Sequence, residues 1–169
     1  IIIGLLHSLY IKIFNTKNPN TLFYIDLYNA YLKNVHVAIP KIYHDEVLAS
    51  SFDRVNDKYF VEKVETTNFK WHSNKRAWGF YDFKTDTISM NLTLKNKEIK
   101  YLDYVMYHEM LHKALKFHSK DGRSTYHTKE FRQREKQFED YQQVEKTLNS
   151  GFNQKKTSNI FINLLKRLN

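Results

Sequence analysis

Two histidines and a glutamate follow the pattern His-Glu-x-x-His at residues 108–112, and side chains of these types at this spacing can bind a metal ion. On a helix, residues four apart lie one above the other, with Cβ atoms about 5–6 Å apart. His108 and His112 can therefore both contact one zinc ion at about 2.0–2.1 Å. Glu109 lies about 100° further round the helix, where it can accept a proton from a water that the ion makes more acidic. The pattern predicts a zinc site with a general base beside it.

The segment that carries this pattern, from about residue 97 to residue 117, is apolar on nearly every side. A helix of that kind is a buried helix, and ionisable side chains are costly to bury unless they have a partner. A metal dication is the simplest partner for the two histidines and the glutamate. The alternative is a purely structural cluster in which the three side chains hydrogen-bond to one another.

The third protein ligand decides the class of site, and two further histidines compete for that position. His118 has the spacing of the last histidine in the longer zinc motif His-Glu-x-x-His-x-x-Gly-x-x-His. That motif needs a glycine where this chain has Leu115. A helix that continues through Leu115 carries His118 about 9 Å along its axis from His112, so we exclude it. The polar segment 119–126 allows the chain to fold back, and His127 is therefore the predicted third ligand.

Two alternatives stay open at this position. His127 can be an ordinary surface or capping histidine, because histidine is often exposed. A carboxylate from the next predicted helix, Glu130 or Glu135, can also complete the site, as in proteases that bind zinc with two histidines and a glutamate.

Apolar residues recur at helical spacing after Thr21, after Pro40 and between Thr128 and Leu148, which predicts three helices besides the one with the metal motif. Asn96 is the predicted N-cap of the metal helix.

Three short segments rich in aromatic and β-branched residues, 69–71, 77–83 and 87–92, are predicted strands separated by polar turns. Helices and strands together predict an α+β fold in which a small antiparallel three-stranded sheet packs on helices.

The composition of the 169-residue chain excludes several classes of protein. Without cysteine, the chain cannot form a disulfide scaffold, use thiol catalysis or bind zinc through thiolates. Hydrophobic residues make up 41% and charged residues 27%, which is typical of a globular protein. The formal net charge of +9 favours acidic partners such as nucleic acid.

We predict one domain over residues 1–149, followed by an amphipathic tail over residues 150–169. Residues 1–19 include an apolar run that is too short to cross a bilayer and has no signal-peptide cleavage site, so we expect it to pack on the domain, with no membrane partner. The lack of cysteine fits a reducing compartment. The expected location is the cytoplasm, with the nucleoid or the nucleus as the alternative.

The motif, together with His127 fifteen residues after His112 and with Phe131 one turn further, resembles the SprT-like zinc metalloprotease family. Four upstream features strengthen the resemblance: Trp71, residues 77–81 (Ala-Trp-Gly-Phe-Tyr), residues 88–92 (Ile-Ser-Met-Asn-Leu) and residues 27–29 (Leu-Tyr-Asn). Many bacterial members also carry a cysteine-rich zinc ribbon, which this chain lacks, and the family has glycine where this chain has Thr128.

The resemblance implies a compact zincin-like fold with zinc on His108, His112 and His127 and with Glu109 as the general base. It implies a zinc-dependent endopeptidase that hydrolyses peptide bonds, and DNA-associated proteins are among the expected substrates. The alternative is a DNA-associated binding module with a structural or inactive zinc site. The intact Glu109 favours the peptidase, because a purely structural site has no use for a base.

The zincin-like fold that the resemblance implies also suggests where a substrate would bind. The predicted strand 87–92 is the expected platform for an extended peptide, and Tyr126 is the candidate for stabilising the oxyanion. DNA is a candidate partner for a basic surface near the metal helix, where Trp71 and Trp78 can stack on bases. The cations assigned to this surface are Lys75, Arg76, Lys113, Lys116, Lys120 and Arg123. The alternative is a solvated basic loop beside two tryptophans of the core, because aromatic strand residues are mostly buried.

Overall fold

A computed structural model describes residues 2, 3, 6, 19–120 and 123–150. The elements in these residues, in chain order, are α1 (Pro19–Asn34), a 3₁₀ turn (Val35–Ala38), α2 (Glu46–Tyr59), β1 (Asn68–His72), β2 (Gly79–Asp82), β3 (Thr87–Asn91), a second 3₁₀ turn (Leu92–Asn96), α3 (Ile99–Leu115), β4 (His118–Lys120), β5 (Arg123–Thr125), α4 (Lys129–Glu135) and α5 (residues 141–150). The predicted α+β class is confirmed.

The predicted terminal segments lie mostly outside the described residues. In the N-terminal segment before α1, the structure describes Ile2, Ile3 and Leu6, and all three are exposed. The predicted tail 150–169 lies outside the described residues except for Ser150. None of the helices in the described part of the chain combines the length and the apolar character that a membrane span requires.

β3 is the middle strand of a three-stranded sheet with the order β1-β3-β2. β2 and β3 form an antiparallel hairpin in which Phe80 lies opposite Ser89. β1 pairs with β3 in parallel, with Phe69 opposite Ile88. The prediction of an antiparallel sheet is therefore wrong for β1, because the connection over residues 73–78 crosses the end of β3 instead of turning back along β1.

Asn91, the last residue of β3, holds this crossing in place. Its side-chain amide donates hydrogen bonds to the carbonyls of Asn74 (2.6 Å) and Ala77 (2.9 Å). Its backbone N–H donates to the carbonyl of Trp78 at 2.8 Å. The crossing puts β2 at one edge of the sheet, and β2 contacts helix α3.

Helix α2 begins later than the sequence pattern predicts. Its N-cap is Asp45, whose Oδ1 accepts a hydrogen bond from the backbone N–H of Leu48 at 3.1 Å. The residues after Pro40 are extended, and the carbonyl of Tyr43 accepts from the N–H of Phe69 in β1 at 3.0 Å. The start predicted at Pro40 is wrong because that segment contacts the sheet instead.

The single helix predicted between Thr128 and Leu148 is two helices. Thr128 caps α4, and its Oγ1 accepts from the N–H of Phe131 at 3.2 Å. Residues 136–140 form turns, and Asp140 has a φ of 55°, a left-handed conformation that a right-handed helix cannot contain. A separate helix, α5, begins after the break, and its Leu148 is buried.

Helix α3 lies at the centre of the core and contacts α2, β2, β3 and α4. Asn96, its predicted N-cap, belongs to the preceding 3₁₀ turn, and the helix begins at Ile99. Met106, Met110 and Leu111 are completely buried. The helix that carries the histidine pair is therefore enclosed by the rest of the fold, and little of it can move independently.

Candidate metal centre

Three histidines from two parts of the chain come together at the surface end of α3. His108 and His112 project from α3, His127 precedes α4, and one ring nitrogen of each lies within 4.8 Å of the others. His118 is not in this group, since it lies in β4 opposite Thr125 and is exposed. The argument that a continuing helix excludes His118 is nevertheless wrong: α3 ends at Leu115.

The chain leaves α3 through Lys116, whose φ of 58° turns it sharply into β4. The two-stranded hairpin β4–β5 then brings it back to His127. Phe131, completely buried one turn into α4, packs on the imidazoles of His108, His112 and His127, with ring centroids 5.0, 4.6 and 4.8 Å away. Packing on this one phenyl ring restricts the orientations of all three imidazoles.

The separation of the His108 and His127 nitrogens fits a tetrahedral metal ion. Nε2 of His108 and Nε2 of His127 are 3.3 Å apart. Two ligands at about 2.0–2.1 Å from a tetrahedral zinc ion are about 3.3–3.4 Å apart, as the tetrahedral angle requires. Three protein ligands leave the fourth position of such an ion open, which is the arrangement of catalytic zinc sites.

A carboxylate behind His108 fixes the orientation of that ring. Nδ1 of His108 lies 2.6 Å from Oε1 of Glu135, and the hydroxyl of Tyr104 donates to the same oxygen at 3.3 Å. An N–H at Nδ1 that donates to a carboxylate leaves Nε2 available to a metal ion, as is usual for metal-binding histidines.

The two carboxylates considered as alternative ligands lie elsewhere. Glu135 contacts the far side of His108, and Glu130 forms a surface ion pair with Arg134 at 3.0 Å. The sequence analysis missed the supporting role of Glu135. Its position four residues after Phe131 was a usable signal, because it places both residues on one face of α4.

The electrostatics of the cluster also fit a cation. Burial, followed by the charges of His108 and His127, lowers the pKa of His112 to about 3, and burial lowers the pKa of His127. Both rings are therefore neutral near pH 7, as metal ligands must be. Within the described part of the chain, the buried Nδ1 of His112 has no hydrogen-bond partner.

His108 differs from the other two histidines. Burial lowers its pKa, but the hydrogen bond to Glu135 and the charges of Glu109 and Glu135 outweigh burial, and the pKa is raised. The surroundings of His108 thus favour a positive charge, which a bound metal ion would supply.

Glu109 is 4% exposed and faces strand β2. Burial raises its pKa to about 7, while the charge of His108 and the backbone of Tyr81 oppose that increase. A carboxyl group with a pKa near neutrality is suited to taking up and releasing a proton at neutral pH.

Gly79 allows β2 to approach this carboxylate closely. A Cβ at residue 79 would lie 2.8 Å from Cγ1 of Val105 and 3.0 Å from Oε1 of Glu109, closer than side-chain carbons normally approach. The absence of a side chain at Gly79 is therefore a condition for the position of Glu109, and the sequence analysis did not identify it.

For the zinc peptidase that the sequence predicts, we expect Gly79→Ala to lower kcat/KM on a peptide substrate by about tenfold or more, because a displacement of about 1 Å can strongly impair a positioned catalytic group. The atoms nearest to the added methyl belong to Val105 and Glu109, neither of which is a proposed ligand, so zinc content should stay at the wild-type level. Steady-state kinetics on the zinc-loaded variant, beside metal analysis, test this. Wild-type kcat/KM would show that the contact has no catalytic consequence.

One open cavity of about 600 Å³ contains the histidines and Glu109. Its wall consists of residues from β2, from α3, and from the end of the β4–β5 hairpin to α4: Gly79, Phe80, Tyr81, Phe83, His108, Glu109, His112, Ser124, Thr125, Tyr126, His127 and Arg132. The strand predicted as the peptide platform, 87–92, does not line it. That prediction is wrong because β3 is paired on both sides, whereas β2 forms the edge beside the metal centre.

The residues predicted for DNA binding have different surroundings. Lys113 is 6% exposed, and its Nζ lies 2.9 Å from both carboxylate oxygens of Asp86, so its assignment to a DNA surface is wrong. Lys75, Arg76 and Arg123 are exposed.

Lys116 is partly buried and donates to Oδ1 of Asn34 at 3.2 Å, and the side chain of Lys120 lies outside the described residues. The indole N–H groups of Trp71 and Trp78 donate to Oδ2 of Asp45 and to the carbonyl of Leu148. DNA binding stays a prediction, as does the role of Tyr126 at the oxyanion.

Comparison with known proteins gives one match. The model of the family described as YgjP-like, metallopeptidase domain, matches residues 16–151. This match confirms the resemblance to SprT-like metallopeptidases. No curated protein and no solved structure matches the chain.

Proposed function

This chain belongs to the family of YgjP-like metallopeptidase domains, and we propose that it is a zinc-dependent endopeptidase with Glu109 as its general base. One observation carries the proposal: three imidazole nitrogens lie within 4.8 Å of one another in the same cavity as a buried glutamate. His108, His112 and His127 would hold the ion. Three protein ligands and an open fourth position are what a hydrolytic zinc site requires.

When bound, zinc increases the acidity of a water molecule and polarises the scissile carbonyl. Glu109 accepts a proton from the attacking water at its carboxylate and later delivers it to the leaving amine. Glu135 holds His108 through Nδ1, and Phe131 packs on all three imidazoles.

The substrate is proposed to lie along β2. The N–H of Asn91 bonds to the carbonyl of Trp78, so alternate residues of β2 direct their backbone groups towards β3 and away from it. Gly79 and Tyr81 belong to the second set, and both line the cavity. An extended peptide can pair with this edge as an additional strand, which brings its carbonyl next to the metal centre.

Removing the metal is the direct test. We expect a zinc chelator to abolish cleavage of an unfolded protein, and one equivalent of Zn²⁺ per chain to restore it, because the remaining groups cannot activate water alone. The measurement is cleavage rate against zinc content. Cleavage that continues in protein free of metal would contradict a metallopeptidase, and a zinc-loaded chain that cleaves no unfolded protein would favour a binding module.

A further inference from the structure

Asp86 is a fully buried carboxylate outside the metal centre. It occupies the turn between β2 and β3, with a φ of 42°, in the left-handed region where a residue with a side chain is uncommon. Lys113 donates to both carboxylate oxygens at 2.9 Å. Lys41 also forms an ion pair with it. The hydrogen bonds from Lys41, Tyr81 and Lys113 outweigh burial and lower the pKa of Asp86, so that it stays ionised.

The hydroxyl of Tyr81 donates to Oδ1 of Asp86 at 2.6 Å. Burial, followed by Asp86, raises the pKa of Tyr81, so this hydroxyl keeps its proton and can donate. Tyr81 is therefore linked to α3 through Asp86, whose carboxylate accepts hydrogen bonds from both Tyr81 and Lys113. The backbone of Tyr81 also acts to lower the pKa of Glu109, against the effect of burial.

The spacing of residues along β2 matches the spacing of residues along α3. Glu109 and Lys113 are four residues apart on α3, about 6 Å along the helix axis and on one face. Gly79 and Tyr81 are two residues apart on β2, about 6.6 Å along the strand and on one side. Gly79 lies against Val105 and Glu109, while Tyr81 is joined through Asp86 to Lys113. Gly79 and Tyr81 of β2 therefore have the same spacing as Glu109 and Lys113 of α3, beside the general base.

We propose that Asp86 is a positioning residue for the peptidase reaction: by joining Tyr81 to Lys113 it holds edge strand β2 against helix α3 and so keeps Glu109 in place. The proposal rests on the function proposed above. Asp86 touches neither the metal ligands nor the cavity in the described residues, and it acts through Tyr81.

Two variants distinguish a positioning role of Asp86 from a contribution to the stability of the fold alone. Tyr81→Phe removes the single hydroxyl that joins β2 to Asp86 and leaves the ion pairs of Asp86 intact. Lys41→Met is the matched control, because it removes an ion pair of the same carboxylate without affecting the link between β2 and α3. We measure zinc content, melting temperature, kcat per zinc-loaded molecule and KM for both, and for Asp86→Asn where that variant folds.

We expect Tyr81→Phe to lower kcat per zinc-loaded molecule by about tenfold, with a smaller change in KM, because misplacing a general base impairs the chemical step. Lys41→Met should lower the melting temperature and keep the wild-type kcat. Where Asp86→Asn folds, its kcat should fall at least as far as that of Tyr81→Phe.

Three results would overturn the proposal: a wild-type kcat in Tyr81→Phe, an effect of that variant confined to KM, or an equal loss of kcat in Lys41→Met. Failure of the proposed function looks different, because wild-type protein loaded with zinc would then cleave nothing.

Discussion

Glu109→Gln should lower kcat on an unfolded protein by about 10²–10⁴-fold, the contribution expected of a general base. Glutamine has the shape of glutamate but cannot accept the proton of the attacking water. Glu109 is buried, and its pKa is raised to about 7. An uncharged amide therefore suits the site, and the variant should fold and bind zinc like the wild type. The measurement is kcat of zinc-loaded protein near pH 7.

Glu130→Gln is the control for this experiment. Glu130 lies on α4 close to His127, but it is exposed and pairs with Arg134 at the surface. The same chemical change there should leave kcat within about twofold of the wild type, because exposed ion pairs contribute little. If Glu109→Gln kept the wild-type kcat, Glu109 would not be the base, and the proposed mechanism would be wrong.

Replacing the third histidine should remove the metal. His127→Ala leaves two ligands, and we expect zinc affinity to fall by more than about 100-fold, since loss of an outer-shell partner alone costs about 10–100-fold. Peptidase activity should disappear at zinc concentrations that saturate the wild type. Competition with a chromogenic chelator measures the affinity directly, without reference to catalysis.

His118→Ala is the matched control for that loss. His118 is only nine residues away in sequence and is exposed in β4, outside the group of three nitrogens. Its removal should leave zinc affinity unchanged. The reverse pattern, with zinc lost from His118→Ala and kept by His127→Ala, would mean that the third ligand is assigned to the wrong histidine.

Local spacing made part of the site predictable. Residues four apart lie on the same face of a helix, so the spacing alone predicts that His108 and His112 point the same way. The apolar segment around them predicts that the helix is buried. The prediction of His127 needed only a polar connection long enough to return to the helix. In each case the information lies within about twenty residues of sequence.

Other features depend on distant parts of the chain. The parallel pairing of β1 with β3 follows from a crossing that Asn91 fixes, and no spacing within β1 indicates it. From the sequence alone, Lys113 is predicted to be a surface cation, because lysine is rarely buried without a partner. Its partner, Asp86, is twenty-seven residues away in the sequence. Glu135 likewise supports a histidine on another helix.

The hairpin β4–β5 has a consequence for how the chain can vary. His112 and His127 stand on either side of it, fifteen residues apart, and the closure entropy of so short a loop is small. Adding or removing a residue between β5 and His127 would shift the returning imidazole, whereas exchanging the exposed side chains of β5 would leave it where it is. In this stretch the fold constrains residue number more tightly than residue identity.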